Sequence, residues 1–219
     1  MTKPAFKESV VKIPADKAVI NGNLTIPEST KGIVLFAHGS GSGRFSPRNI
    51  RVAGQINLAG IATLLIDLLT EEEEAIDVYS GEFRFNIDLL AQRLAFATKW
   101  LSDNSSTKGL KVGYFGASTG AAAALIAAAQ LPEIVKVVVS RGGRPDLAGE
   151  HLEKVRAPTL LIVGGDDYEV LELNREAFAQ LKSDKRVEVV PGATHLFEEP
   201  GKLEEVARLA IDWFSKHLG

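Results

Sequence analysis

Short runs that are apolar at almost every position alternate along this chain with longer segments in which apolar residues recur every three or four positions. Lys31–Phe36 (KGIVLF), Ala62–Asp67 (ATLLID), Leu110–Phe115, Ile134–Val139, Thr159–Val163 and Val187–Val190 are of the first kind. Such runs cannot present a solvated face, so they predict strands buried on both sides, as in a parallel sheet. The second kind predicts helices: Val52 and Ile56; Ile87, Leu90, Leu94 and Leu101; Leu173–Leu181; and Leu203, Val206, Ala210, Trp213 and Phe214. Ser46-Pro47 reads as an N-cap followed by proline at the first helical position, and Gly60 as the stop. Before all of these, Glu8–Ile13 and Val19–Ile26 flank the polar stretch Pro14–Lys17, the pattern of an antiparallel hairpin. The alternation predicts an α/β fold, a mostly parallel sheet of about eight strands with an N-terminal antiparallel hairpin and helices on both faces. One stretch has no clear period. Leu68–Phe83 (LLTEEEEAIDVYSGEF) is expected to be an irregular acidic loop, a solvated face or part of a pocket rim, with no partner of opposite sign near Glu71–Glu74 in sequence.

Composition narrows the classes. With 219 residues and no repeat, linker or low-complexity break, the expectation is a single domain over residues 1–219. The 25 basic and 28 acidic residues nearly balance, which argues against a nucleic-acid or anionic-membrane partner. No cysteine is present, so thiolate catalysis and cysteine-ligated zinc are excluded. Neither a signal core in MTKPAFKESV nor an apolar run near the ~18 residues of a membrane span is found, and a cytoplasmic location is the expectation.

Candidate chemistry gathers where strands end. LKVGYFGASTGAAAA passes from a strand through Gly116-Ala117-Ser118-Thr119-Gly120 into an alanine-rich helix. A G-x-S-x-G pentapeptide in that setting is a nucleophile elbow, in which small neighbours allow a tight turn that lifts a serine hydroxyl clear of the backbone; the bland reading is a small-residue turn. A serine hydroxyl is a weak nucleophile unless a histidine takes its proton, and the histidine needs a carboxylate to fix its tautomer. His195, after VEVVPGA, and the carboxylates Asp166, Asp167 and Glu169, after TLLIVGG, follow strands at the sheet edge where ligands bind in open α/β folds. His151 and His217 read as surface residues. Backbone N–H donors for an oxyanion are expected from Thr119 and from Ser40 in the glycine-rich turn, with His38 bracing that turn. A dinucleotide fingerprint fails, because neither Gly39/Gly41 nor Gly41/Gly43 is followed by glycine at the third position, and no G-K-[ST] follows.

Together HGSGSG (38–43), GASTG (116–120), GGDD (164–167) and GATHLFEEPG (192–201) resemble an α/β-hydrolase of the dienelactone-hydrolase-like group, over nearly the whole chain. No long insertion after the Ile134–Val139 strand is available for a cap domain, and no cofactor or metal is expected. The resemblance implies the α/β-hydrolase fold and an ester-type hydrolysis. Its G-x-x-D-x-x-V pattern, here Gly164–Val170, selects Asp167 as the acid beside Ser118 and His195. Serine replaces the cysteine nucleophile of dienelactone hydrolases proper, so dienelactone itself is not implied. The expected partner is a small-molecule ester or lactone in an open pocket, with Arg44 and Arg141 as candidates for binding a substrate carboxylate. An acyltransferase, a C–C hydrolase and a non-catalytic binding protein of the same fold are the alternatives.

Overall fold

The computed structural model describes residues 6–219 and begins with the expected hairpin. Residues 1–5, part of the decapeptide read above for a signal core, lie outside the described residues. Strands β1 (Phe6–Ala15) and β2 (Ala18–Pro27) pair antiparallel from Phe6↔Pro27 to Ala15↔Ala18, with Asp16 in the turn at φ 59°. Then β3 (Gly32–Ala37) leads to helix α1 (Pro47–Leu58), capped by Ser46 Oγ on Asn49 N–H, and α1 to β4 (Ala62–Ile66). Helix α3 (Ile87–Asp103) precedes β5 (Lys111–Ala117), which feeds α4 (Thr119–Gln130). After β6 (Val135–Arg141), 3₁₀ turns occupy Pro145–Lys154, followed by β7 (Thr159–Gly164), α5 (Tyr168–Gln180), β8 (Lys185–Val190) and α6 (Lys202–Leu218).

All eight strands form one sheet in the order β1-β2-β4-β3-β5-β6-β7-β8, parallel from β4 onward and antiparallel at β1–β2 and β2–β4. The two-residue period of a strand explains why β3 is apolar throughout. Ile33, Leu35 and Ala37 pack toward α3 and α4 through Leu90, Leu94 and Leu125, whereas Val34 and Phe36 pack toward α1 and α6 through Ile56, Val206 and Phe214. This is an α/β-hydrolase fold. Among the described residues no helix is long and apolar enough to cross a membrane.

The acidic stretch is a helix, not the irregular loop that its sequence predicts: α2 spans Glu71–Ser80. Its ends account for it. Thr70 and Glu73 form a reciprocal capping box, four glutamates stand in the first turn where the helix dipole favours anions, and Gly81 closes the end at φ 67°. Glu73 also finds its opposite charge twenty residues away, pairing with the Arg93 guanidinium, which donates to Ala15 O at 2.9 Å. Asp77 is the only buried residue of α2, and Ile76, Val78 and Tyr79 face solvent.

Candidate active site

Six helices start just past a described residue that could cap them, and the side chains of those residues divide into two groups. Ser46, Thr70 and Asn86 accept hydrogen bonds from the first-turn N–H groups of α1, α2 and α3, as polar N-caps ordinarily do. Ser118 and Asp167 hold the same position on α4 and α5 and make no capping bond. Their oxygens are therefore available for other work. Gly201, the cap of α6, has no side chain.

Ser118 sits at φ 50°, ψ −123°, a backbone region costly for any residue with a Cβ. The surroundings impose it. Ser118 N–H donates to Arg141 O at 3.4 Å, and Ser118 O accepts from Ala121 N–H at 3.1 Å and from Arg144 N–H at 3.0 Å. The glycines around it permit close packing: a Cβ on Gly116 would stand 2.4 Å from Ala121 Cα, and one on Gly120 would stand 2.3 Å from Ala37 O. Gly39, from the turn after β3, meets Ser118 in the same way, with an added Cβ 2.9 Å from Ser118 Cβ.

The histidine and the acid are joined. His195 Nδ1 donates to Asp167 Oδ2 at 2.7 Å, with the acid largely buried and the imidazole more open (side chains 15% and 38% exposed). Asp166 points into solvent and contributes its backbone, its N–H donating to Ala193 O at 3.0 Å. That bond, with Gly165 N–H to Val190 O at 2.8 Å, ties the loop carrying the acid to the loop carrying the histidine. The histidine loop is closed by Glu199, whose carboxylate accepts from Thr194 N–H and Oγ1 and is held below the usual carboxylate range by the hydroxyl bond first.

Ser118 and His195 line one cavity of about 250 Å³ with Ser40, Arg48, Asn49 and Arg141. Among the described residues no hydrogen bond joins Ser118 Oγ to the imidazole, a separation common before substrate binds. Thr119 N–H is at the first helical position of α4, where no intrahelical acceptor exists. Ser40, which lines the same cavity, has its N–H already engaged, donating to Thr119 Oγ1 at 3.1 Å. Of the two arginines named as substrate contacts, only Arg141 reaches the cavity. Arg44 is withdrawn: its guanidinium pairs with Asp67, and its N–H donates to Asp67 Oδ1 at 2.8 Å. Arg144 is bidentate on Asp146.

A second cavity of about 200 Å³ lies across the glycine-rich turn, between that turn and α2, and Glu74 and Asp77 help line it. Part of the acidic stretch thus borders a pocket. His38, on its wall, braces the turn through a fixed tautomer: Nδ1–H donates to Gly39 O at 2.9 Å, and Nε2 accepts from Leu68 N–H at 3.0 Å. Burial lowers its pKa from the ordinary 6.5, and protonation would set Nε2–H against the Leu68 donor. The unfolded chain therefore binds more protons than the folded one just below pH 6.5, and stability falls as pH drops from there toward the depressed folded value. His217, lowered by burial and then by Lys216, adds the same sign. The melting temperature is expected to fall between pH 7.5 and 5.5, and to fall less in His38→Gln. An equal decline in both proteins would remove His38 as the source.

Among the described residues no group of three or more His, Asp or Glu could hold a metal ion. The model of the dienelactone hydrolase family matches residues 20–218. A crystal structure of dienelactone hydrolase from Anabaena variabilis superposes with a TM-score of 0.96 at 57% identity, covering 98% of this chain and 99% of that one. Est1E from Butyrivibrio proteoclasticus superposes with a TM-score of 0.79 at 16% identity, over 94% of this chain and 98% of its own, a likeness of fold. A Mycobacterium tuberculosis protein provisionally named a phosphoribosyl transferase is 56% identical over 215 residues, which are 98% of this chain and 48% of that protein. The chain thus spans about half the length of the curated relatives it matches most fully.

Proposed function

Because the chain belongs to the dienelactone hydrolase family, a family of hydrolases, we propose that it is a serine hydrolase that cleaves small carboxylic esters or lactones through an acyl-enzyme. One observation carries this reading. Ser118 is held at a strained turn with its hydroxyl uncommitted, in one cavity with a histidine that donates to a largely buried carboxylate.

Ser118 Oγ attacks the ester carbonyl as His195 Nε2 takes its proton, and the carbonyl π electrons move onto oxygen. Asp167 holds Nδ1–H, so Nε2 is the nitrogen free to accept, and its negative charge stabilises the imidazolium that forms. The imidazolium then protonates the leaving alcohol as the C–O bond breaks. Water, deprotonated by the same nitrogen, attacks the acyl carbon, and the resulting tetrahedral adduct collapses with cleavage of the acyl–Oγ bond, the imidazolium returning its proton to Ser118 Oγ as the carboxylic acid leaves. The tetrahedral oxyanion is held by Thr119 N–H and by Ser40 N–H, the second becoming available as the negative oxygen replaces the neutral Thr119 Oγ1, a weaker acceptor. No cofactor enters any step.

The site takes small substrates: about 250 Å³ falls below the ~300–1,000 Å³ of pockets for drug-sized ligands. The phosphoribosyl transferase name belongs to a protein about twice as long, and the uncommitted serine and His–Asp pair are the apparatus of acyl transfer. Steady-state turnover of p-nitrophenyl acetate tests the reading. Saturable release of p-nitrophenol well above the buffer rate, without added metal or nucleotide, is expected. A rate equal to buffer for acetate, butyrate and small lactones alike would overturn it.

A further inference from the structure

The sheet ends on two unlike edges, β1 and β8. At β8 the charged side chains are engaged within the chain: Lys185 Nζ donates to Phe178 O and Leu181 O, and Arg186 pairs with Glu188. At β1 they are not. Phe6–Ala15 is a strand of 10 residues whose one neighbour among the described residues is β2. Its Lys7, Glu8 and Lys12 are exposed and enter no ion pair among those residues. Val10, between Glu8 and Lys12, is 74% exposed. A long edge strand presents a row of free N–H and C=O groups, a template on which another strand can pair.

The hairpin decides which residues of β1 face outward. Ala15 and Ala18 flank a turn of two residues, and a pair that closes such a turn exchanges its main-chain hydrogen bonds. Bonded and non-bonded pairs alternate from there, so the odd-numbered residues of β1 bond to β2. Phe6, Glu8, Val10, Lys12 and Pro14 turn their main-chain groups to the open side. Pro14 agrees with this assignment, because a proline is tolerated in an edge strand where its missing N–H faces away from the ladder. The side chains of the same five residues share one face of the sheet. In order along that face they are apolar, acidic, valine, basic and apolar, a sequence that matches its own reverse with the charges exchanged.

We propose that β1 is a self-association edge, on which a second copy of this chain lays its own β1 antiparallel about a two-fold axis at Val10. In that register Val10 lies opposite the partner's Val10, Glu8 opposite the partner's Lys12, Lys12 opposite the partner's Glu8, and Phe6 opposite the partner's Pro14. The outward N–H and C=O groups of Glu8, Val10 and Lys12 all find acceptors and donors across the seam. Unlike charges directly opposed across an antiparallel pair stabilise it, and like charges weaken it. The charges select this register. Sliding by two residues sets Glu8 against the partner's Val10 or Pro14 and loses both ion pairs, and sliding by four sets Glu8 against Glu8 or Lys12 against Lys12. On the other face Val11 meets the partner's Ser9 and Ile13 the partner's Lys7, so no like charges are opposed there. The axis stands perpendicular to the sheet, so the two sheets become one and the cavities that hold Ser118 open at opposite margins, away from the seam. Such a contact is isologous and closes at two copies. A single strand pair buries little surface, so the association is weak and concentration-dependent.

Sedimentation equilibrium of the full chain tests this without reference to the chemistry of Ser118. A reversible monomer–dimer equilibrium is expected between about 10 µM and about 1 mM protein, with no larger species. Glu8→Lys and Lys12→Glu each oppose like charges twice across the axis, and each is expected to weaken dimerisation at least tenfold. Combining both substitutions in one chain restores it. The mixture of the two single variants discriminates most sharply. One chain then carries lysine at both positions and the other glutamate at both, so a 1:1 dimer forms at concentrations where each variant alone is monomeric. Val10→Pro deletes the outward N–H at the axis, which bonds to nothing within the chain, and is expected to leave a folded monomer that no longer dimerises. If that variant does not fold, the two charge variants carry the test. A monomer throughout the concentration range, a dimer indifferent to both charge substitutions, or a mixture no more associated than its components overturns the proposal.

Discussion

Replacing Ser118 with alanine is expected to leave a folded protein whose turnover of p-nitrophenyl acetate falls by about 10⁶-fold, the scale seen when the serine of a triad is removed. The size follows from the geometry. Removing Oγ deletes the atom that bonds to the acyl carbon, so no group remains to divide hydrolysis into two easier steps. What persists is the oxyanion donors and the cavity, enough to orient an ester but not to open it. Folding should not suffer, because the hydroxyl makes no capping bond and the contacts that fix the turn run through the Ser118 backbone. Circular dichroism and thermal melting check that condition beside the rate. Turnover within a few-fold of the unaltered protein would show that another residue attacks.

Asp167→Asn carries the second largest expectation, a loss of about 10⁴-fold in kcat, the scale seen when a triad carboxylate is neutralised without altering its shape. Asp167 Oδ2 accepts from His195 Nδ1 at 2.7 Å. An amide can offer that position an N–H, which favours the tautomer with hydrogen on Nε2 and blocks acceptance of the serine proton. The imidazolium also loses its counter-charge. Asp166→Asn is the matched control, since Asp166 is exposed and contributes a backbone N–H that substitution leaves in place. Kinetics of the two variants side by side decide between the adjacent acids. A larger loss in Asp166→Asn would move the role to that residue.

The parallel sheet was legible because its strands are buried on both faces, which writes them as continuous apolar runs. The serine, the histidine and a carboxylate were legible because each follows such a run, at the edge where an open sheet binds ligands. Choosing between Asp166 and Asp167 required the family pattern, since neighbouring carboxylates look alike until a partner fixes one of them. Helix α2 was missed for a different reason. Its amphipathic signal is weak, with one buried residue, yet Thr70 and Glu73 spell a capping box and Gly81 a C-cap. Giving those end signals weight would have found it.

Charge pairing was the least legible part. Arg48 and Glu198 are 150 residues apart, and Glu73 and Arg93 are 20 apart, so nothing local marks which arginines are neutralised. Of the arginines proposed as substrate contacts, Arg44 is held by Asp67 across the turn, while Arg141 is drawn into the cavity because β6 runs past Val139 to Arg141. The oxyanion turn shows a related limit. Sequence predicts that Ser40 N–H faces the reacting centre, but only the fold reveals that Thr119 Oγ1 occupies it.

The caps connect sequence to function most directly. Ser118 and Asp167 carry residue types that normally close the first turn of a helix, and neither does so. Asp167 is bonded instead to His195, and the Ser118 hydroxyl is left free at the cavity that His195 also lines. Each forgoes a bond worth about 1 kcal/mol in an ordinary helix, consistent with side chains retained for chemistry rather than stability.

The most direct test of the nucleophile is to trap the acyl-enzyme. Protein mixed with p-nitrophenyl acetate and quenched in acid within the burst phase is expected to gain the mass of one acetyl group, located on the peptide carrying Ser118 and absent from Ser118→Ala. An acetyl group confined to another residue, or turnover with no covalent adduct at any quench time and no burst, would contradict the account.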